Sequence, residues 1–139
     1  MNSFNHYAFG AVLEWLYAGA AGICVDPEAP GFTHFVLSPR PDVRSDAELP
    51  AGQERISFVK ARYDSAAGQI KSAWDWREGK FTYRFTIPAG TTARVEFPLL
   101  NGRDTVVINA RELDVAALGG KIFAGKAIFE LSAGEYVIQ

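Results

Sequence analysis

The chain has 139 residues, enough for one domain with one sizeable core, and its 48% apolar and 22% charged residues argue against wholesale disorder. A net charge of −2 and a pI near 5.7, with neither half strongly basic, leave no electrostatic footprint for binding a phosphate backbone. The single cysteine, Cys24, excludes an internal disulfide and a thiol-based zinc site, and reads as a small buried hydrophobe.

Ser3 or Asn5 can cap a helix by accepting a backbone N–H bond. Apolar residues then recur at Val12, Leu13, Leu16, Ala20 and Ile23 with helical spacing, and Phe9, Trp15 and Tyr17 widen the stripe almost all round. Such a helix expects burial on several sides. Phe9, Val12, Leu13, Leu16 and Ala20 are therefore expected to pack against the rest of the chain or in a dimer. Gly22 is a stop signal, and Pro27 and Pro30 prevent resumption. From Tyr7 to Val25 only Glu14 is charged, and Ala18-Gly19-Ala20 mimics a signal-peptidase site. No Lys or Arg precedes that run, and Glu14 interrupts it, so neither a secretion signal nor a membrane span is expected; no compartment can be read from the chain.

Beyond Asp26 the chain changes to short runs with strand character. Thr33 to Leu37 is the first, ended by Pro39 and Pro41, and 43–54 reads as a loop. Arg55 to Tyr63 and Gln69 to Trp76 form a hairpin across Ser65 to Gly68. Phe81, Tyr83, Phe85 and Ile87 alternate with Lys80, Thr82, Arg84 and Thr86, the cleanest half-buried strand in the chain. Pro88 to Thr92 breaks that pattern before Ala93, Val95 and Phe97 resume it. Asn101-Gly102 signals a turn ahead of Thr105 to Asn109, and Lys121 to Phe123, Ala127 to Leu131 and Glu135 to Ile138 complete the set. About eight or nine short strands at this spacing predict a mainly β chain, an antiparallel β-sandwich preceded by one α-helix.

Chemistry-bearing residues are sparse. Glu14 stands alone on an apolar helix, Asp26 and Glu28 share a Pro-rich link, and Asp75 and Glu78 flank a turn; none makes an acid–base pair on a visible scaffold. No Walker-type loop, dinucleotide-binding glycine fingerprint, His-Glu-x-x-His or Gly-x-Ser-x-Gly occurs, and no metal or cofactor is implied. Asn5, His6 and Tyr7 concentrate hydrogen-bonding groups at the helix start, which suits a polar ligand. His34, on a β-run, reads as structural. Trp74 and Trp76 point to one face of their strand, with Tyr83 and Phe85 on the neighbouring strand. Exposed, Trp74, Trp76 and Tyr83 would stack sugars; buried, they are the inner face of a sandwich, and that is the favoured reading.

The opening Met1-Asn2-Ser3-Phe4-Asn5-His6-Tyr7-Ala8-Phe9-Gly10-Ala11-Val12, with Glu14 to Tyr17 after it, resembles the last barrel helix of bacterial α-L-rhamnosidases of the glycoside hydrolase family 78 type. Asp26 to Phe32, followed by a strand ending in Pro39, is similar to that family's link into its C-terminal β-domain. Gly68-Gln69-Ile70, Trp74, Phe81 to Ala93 and Phe97-Pro98 resemble that domain's core pattern. The resemblance implies residues 1–25 as the closing helix of a truncated (α/α)6 catalytic barrel and 26–139 as a C-terminal β-sandwich accessory domain. It implies a parent enzyme that hydrolyses terminal α-L-rhamnosyl residues with inversion, using two carboxyl groups that lie upstream of the Ser-Phe-Asn-His motif. His6 carries over as a rhamnose-contacting residue at the rim of the active site, supported by Asn5.

On that reading the chain is a structural, barrel-packing piece, inactive alone, and Met1 corresponds to an internal methionine of a longer protein. The expected partners are a rhamnose-containing glycan or glycoside in the intact enzyme and, for the helix, the missing barrel or a second copy, with no nucleic acid and no membrane. A carbohydrate-binding module using Trp74, Trp76 and Tyr83 is the alternative, and exposure of those rings discriminates the two.

Overall fold

The computed structural model describes residues 7–44, 46–77, 79–100 and 104–139, and the side chains among them apart from those of 7–9 and 46. One helix, α1 (Tyr7–Glu14), runs on into a π-helical segment at Trp15–Ala20. Nine strands follow: β1 (Ile23–Val25), β2 (His34–Leu37), β3 (Phe58–Ser65), β4 (Gly68–Arg77), β5 (Lys80–Pro98), β6 (Thr105–Ile108), β7 (Arg111–Asp114), β8 (Lys121–Phe123) and β9 (Lys126–Ile138). No helix among the described residues is long and apolar enough to cross a membrane.

All nine strands belong to one hydrogen-bonded sheet that folds over itself, and the two longest make the fold. β5 and β9 pair antiparallel from Tyr83 to Pro98 of β5, but the register shifts between Ile87 and Thr92, where Pro88 to Thr91 oppose Ala133. On one side of that irregularity β5 pairs with β4, β4 with β3, and β9 with β6, giving a first layer. On the other side β5 pairs with β2, β2 with β1, and β9 with β8, giving a second layer. A bulge is where a strand can turn a corner between packed layers, and Gly90 supplies the positive φ of 78° there.

The inward residues fill the sandwich. Phe81, Tyr83, Phe85, Ile87, Ala93, Val95 and Phe97 of β5 face Ile70, Trp74, Phe35, Leu37, Phe129 and Ile138 in one buried cluster. The alternation of β5 thus does place its apolar residues in the core.

Five expectations need correction. Ile23 is buried in β1 instead of extending the helix, because Gly22 at φ 74° turns the chain before it. The segment at Pro88 to Thr92 displaces the register without ending β5, and the last two predicted runs are one strand, β9. Arg111–Asp114 is an additional strand, β7, with one half-buried apolar residue, Leu113. The sheet is mixed: β2 runs parallel to β5, a pairing made possible by the long excursion through β3 and β4 between them.

Candidate functional site

The most constructed place in the molecule is where the helical segment enters the sandwich. The π-helical hydrogen bond from Ala21 N to Leu16 O, 2.9 Å, ends the helix. It brings Gly19 against the Trp15 indole, which an added Cβ would meet at 3.0 Å. The end carbonyls are then taken up by side chains of β4. Trp74 Nε1 donates to Ala20 O at 2.8 Å, and Ser72 Oγ donates to Ala21 O at 2.6 Å. Ser72 has one hydrogen and has spent it, so Tyr83 O–H, 3.1 Å away, donates to Ser72 Oγ. Burial pushes the Tyr83 phenol far above its ordinary range, which keeps that donor protonated. Helix-end carbonyls need partners, and here the core supplies them.

Gly22 makes the turn. A Cβ there would lie 2.3 Å from the Ser38 carbonyl carbon and 2.4 Å from Pro39 N, and Ser38 N donates to Gly22 O at 2.8 Å. Ser38 is also one corner of a polar cluster. Its Oγ donates to Glu96 Oε2 at 3.0 Å, and Lys126 Nζ lies 3.0 Å from both groups. Partial burial pushes the Glu96 carboxyl up, but the hydrogen bonds from Lys126 and Ser38 and the Lys126 and Arg94 charges outweigh it, and it titrates below its ordinary value. Burial pushes the thiol of Cys24, on β1, up, which disfavours the thiolate.

Aromatic contacts clamp the other side. Tyr17 packs edge-on against Tyr63 with centroids 5.8 Å apart, and its hydroxyl donates to Arg62 O at 3.1 Å. Phe32 packs at a tilt against Tyr63, with centroids 4.8 Å apart, and meets Phe35 at 6.1 Å. The Asp26-to-Phe32 link delivers that ring: Asp26 Oδ1 accepts Glu28 N, and Gly31 and Phe32 both adopt positive φ. His34 ties the link down, with Nε2 3.4 Å from Asp26 and 3.8 Å from Glu130, and Nδ1 2.9 Å from Thr92 Oγ1.

The rest of the helix has no cover. Val12, Leu13, Trp15 and Leu16 are 59%, 56%, 56% and 45% exposed. Of the stripe expected to bury against the chain or in a dimer, only Ala20 is buried within the single chain; Val12, Leu13 and Leu16 are exposed because no element of the sandwich lies over them, and the Phe9 side chain lies outside the described residues. The junction therefore presents an exposed apolar face on a helix whose other end is fixed in the core.

Asn5 and His6 also lie outside the described residues. Trp74 and Tyr83 are 2% and 0% exposed, which corrects the alternative in which they stack sugar at the surface: both rings are core, engaged in the junction. Trp76 is half-buried and packs on Phe81. Asp75 is held by Arg84 and Arg77, and Glu78 lies outside the described residues. No group of three or more metal-ligating side chains occurs among the described residues. What the sequence left unnoticed was the hydrogen bonding of Ser72 and Trp74; a serine and an indole on an otherwise apolar inward face were the available signals.

Residues 22–111, well over half of the chain, match the family described as the bacterial alpha-L-rhamnosidase C-terminal domain. An alpha-L-rhamnosidase of Streptomyces avermitilis is 39% identical over 98 residues, 70% of this chain and 8% of that protein. One from Alteromonas sp. (strain LOR) is 29% identical over 139 residues, 100% of this chain and 12% of that protein. Among solved structures, the Streptomyces avermitilis alpha-L-rhamnosidase complexed with L-rhamnose superposes over 99% of this chain and 12% of its own, with a TM-score of 0.72 at 32% identity. That of the Dictyoglumus thermophilum alpha-L-rhamnosidase covers 99% of this chain and 14% of its own, with a TM-score of 0.78 at 25% identity. The chain spans only 8% and 12% of the lengths of these two relatives.

Proposed function

This chain belongs to the bacterial alpha-L-rhamnosidase C-terminal domain family, and from that membership and the junction we propose that it is the structural, barrel-packing end of a glycoside hydrolase. In this reading the helical segment that ends at Ala20 belongs to the closing helix of an (α/α)6 catalytic barrel, and the strands from β1 onward are the sandwich that anchors it. The observation that carries the proposal is the contrast within one helical segment: Ala20 and Ala21 are hydrogen-bonded into the core while Val12, Leu13, Trp15 and Leu16 stand in solvent. A free-standing domain has no use for such a face, whereas a helix shared with a second domain requires it.

The parent enzyme then hydrolyses terminal α-L-rhamnosyl residues of a rhamnose-containing glycan or glycoside with inversion. One carboxylic acid protonates the leaving oxygen and a second carboxyl group activates water on the opposite face of the ring. Both are supplied from outside this chain. His6, steadied by Asn5, contributes a hydrogen-bonding contact to rhamnose at the rim of the site, and the chain by itself turns over no substrate.

Light scattering across concentration, with an aryl α-L-rhamnoside assay of the same samples, tests this. The isolated chain should self-associate as concentration rises, and Leu13→Ser with Leu16→Ser should keep it monomeric. Hydrolysis by the chain alone, or a monomer at all concentrations with the helix intact, would count against the packing role.

A further inference from the structure

The outward face of the first layer has no part in the junction. Two rows of side chains cross its strands there, each residue directly opposite the next. One row is Arg62, Lys71, Thr86 and Glu135; the other is Lys60, Ala73, Arg84 and Val137. The short Ala73, Thr86 and Val137 make a floor and the long side chains make walls, leaving an open groove of about 1030 Å³.

Charge is concentrated in it. Lys60, Arg62, Lys71 and Arg84 line the groove against Glu135 alone, although the whole chain carries −2. Arg62 leans toward Asp64 at 3.6 Å and Arg84 is paired with Asp75. Lys60 and Lys71 have no ion-pair partner among the described residues. Arg62 and Lys71 stand directly across from each other on β3 and β4, an arrangement that costs stability. Nothing in the packing calls for it, since both side chains are exposed.

We propose that this groove binds an anionic glycan, a sugar chain bearing carboxylates, with Lys60 and Lys71 as its anchors. The Thr86 hydroxyl and the Gln69 side-chain oxygen at the wall suit the hydroxyls between those carboxylates. An acidic peptide fits less well. Lys60 and Lys71 stand on the face of the sheet across β3 and β4, whereas a peptide adding a strand would lie along the outer edge of β3, away from both anchors. A membrane fits less well because the apolar floor is recessed beneath charged walls. The inference rests on the family reading only for choosing a sugar over other polyanions. It uses no side chain of the junction, which Arg62 touches through its backbone carbonyl alone, so failure of the self-association test would leave it standing.

Fluorescence anisotropy with a labelled oligogalacturonate and the full chain at low salt tests it. Saturable binding is expected, about tenfold weaker for Lys60→Ala or Lys71→Ala, since each removes one charge-assisted contact. Added salt should weaken it, and a neutral oligogalactoside of the same length should not bind. The proposal is overturned by any of three results: no saturable binding, a double variant that binds like the parent, or equal affinity for an oligoglutamate of matching charge. Lys60→Gln with Lys71→Gln serves as a second pair, and near-UV circular dichroism confirms that each variant is folded.

Discussion

The indole nitrogen of Trp74 donates to the carbonyl oxygen of Ala20 at 2.8 Å, joining residues 54 positions apart in the chain. This bond, beside that of Ser72 to Ala21 O, makes the helix end part of the sandwich core. Trp74→Phe keeps most of the ring volume and deletes the donor, so the buried Ala20 carbonyl loses its partner. A loss of about 1–3 kcal/mol is expected for an unsatisfied buried acceptor. Ser72→Ala should cost a similar amount, because it strands both Ala21 O and the Tyr83 hydroxyl. The two substitutions touch one network, so the double variant should depart from additivity. Urea unfolding of the four proteins measures all of this.

Gly22→Ala should be worse than either. The added Cβ would fall 2.3 Å from the Ser38 carbonyl carbon, and backbone cannot swing aside as a flexible side chain can. The residue must also hold φ at 74°, which alone costs of order 1 kcal/mol or more for a residue with a side chain. The expected outcome is a separation of β1 from β2 near Ser38, seen as lost amide protection at Ser38 N and a lower unfolding midpoint. A fully stable Gly22→Ala protein would show that the turn is not the pin described above.

How much of this was readable in advance follows from the physics of each element. Phe81, Tyr83, Phe85 and Ile87 alternate with polar residues, so a half-buried strand was legible at single-residue resolution. Ile23-Cys24-Val25 is apolar without alternation, and a short run of that kind fits a helix end as well as a strand. Arg111–Asp114 holds one apolar residue, and β7 exists because β6 offers it an edge, a tertiary fact. The parallel β2–β5 pairing links residues 58 apart and leaves no local trace. At the junction, the helix and the link motif could be recognised, but the donors that hold them come from β4, and no spacing in the sequence joins Ala20 to Trp74.

Glu96 predicts a pH dependence. Its carboxyl titrates below the ordinary value of 4.5 in the folded chain because Lys126 and Ser38 hydrogen-bond the charged form. A depressed folded pKa contributes stability that is present above the unfolded value and is lost as pH falls through the folded one. Destabilisation from this group should therefore begin as pH drops below about the ordinary carboxylate range and grow until the folded carboxyl is protonated. Glu96→Gln should be less stable than the parent at neutral pH and should show a shallower fall in acid. Thermal midpoints of the two proteins across pH, compared as a difference, isolate this group from the other carboxylates. Parallel curves would mean the Ser38–Glu96–Lys126 cluster does not act through charge.

The three tryptophans report on the two faces of the junction separately. Trp15 is 56% exposed on the uncovered helix, Trp76 is half-buried, and Trp74 is enclosed with its N–H engaged. Iodide should quench Trp15 strongly, Trp76 weakly and Trp74 hardly at all, so Trp15→Phe should remove most of the quenchable emission. If the apolar helix face finds cover in a second copy, Trp15 quenching should fall as protein concentration rises, while the Leu13→Ser, Leu16→Ser protein keeps it constant. Titrating L-rhamnose into the isolated chain should leave the emission unchanged, because Trp74 and Tyr83 are core residues that no sugar reaches. A saturable rhamnose response that survives Trp15→Phe would return the sugar-stacking reading to Trp76 and would require the strand carrying it to open.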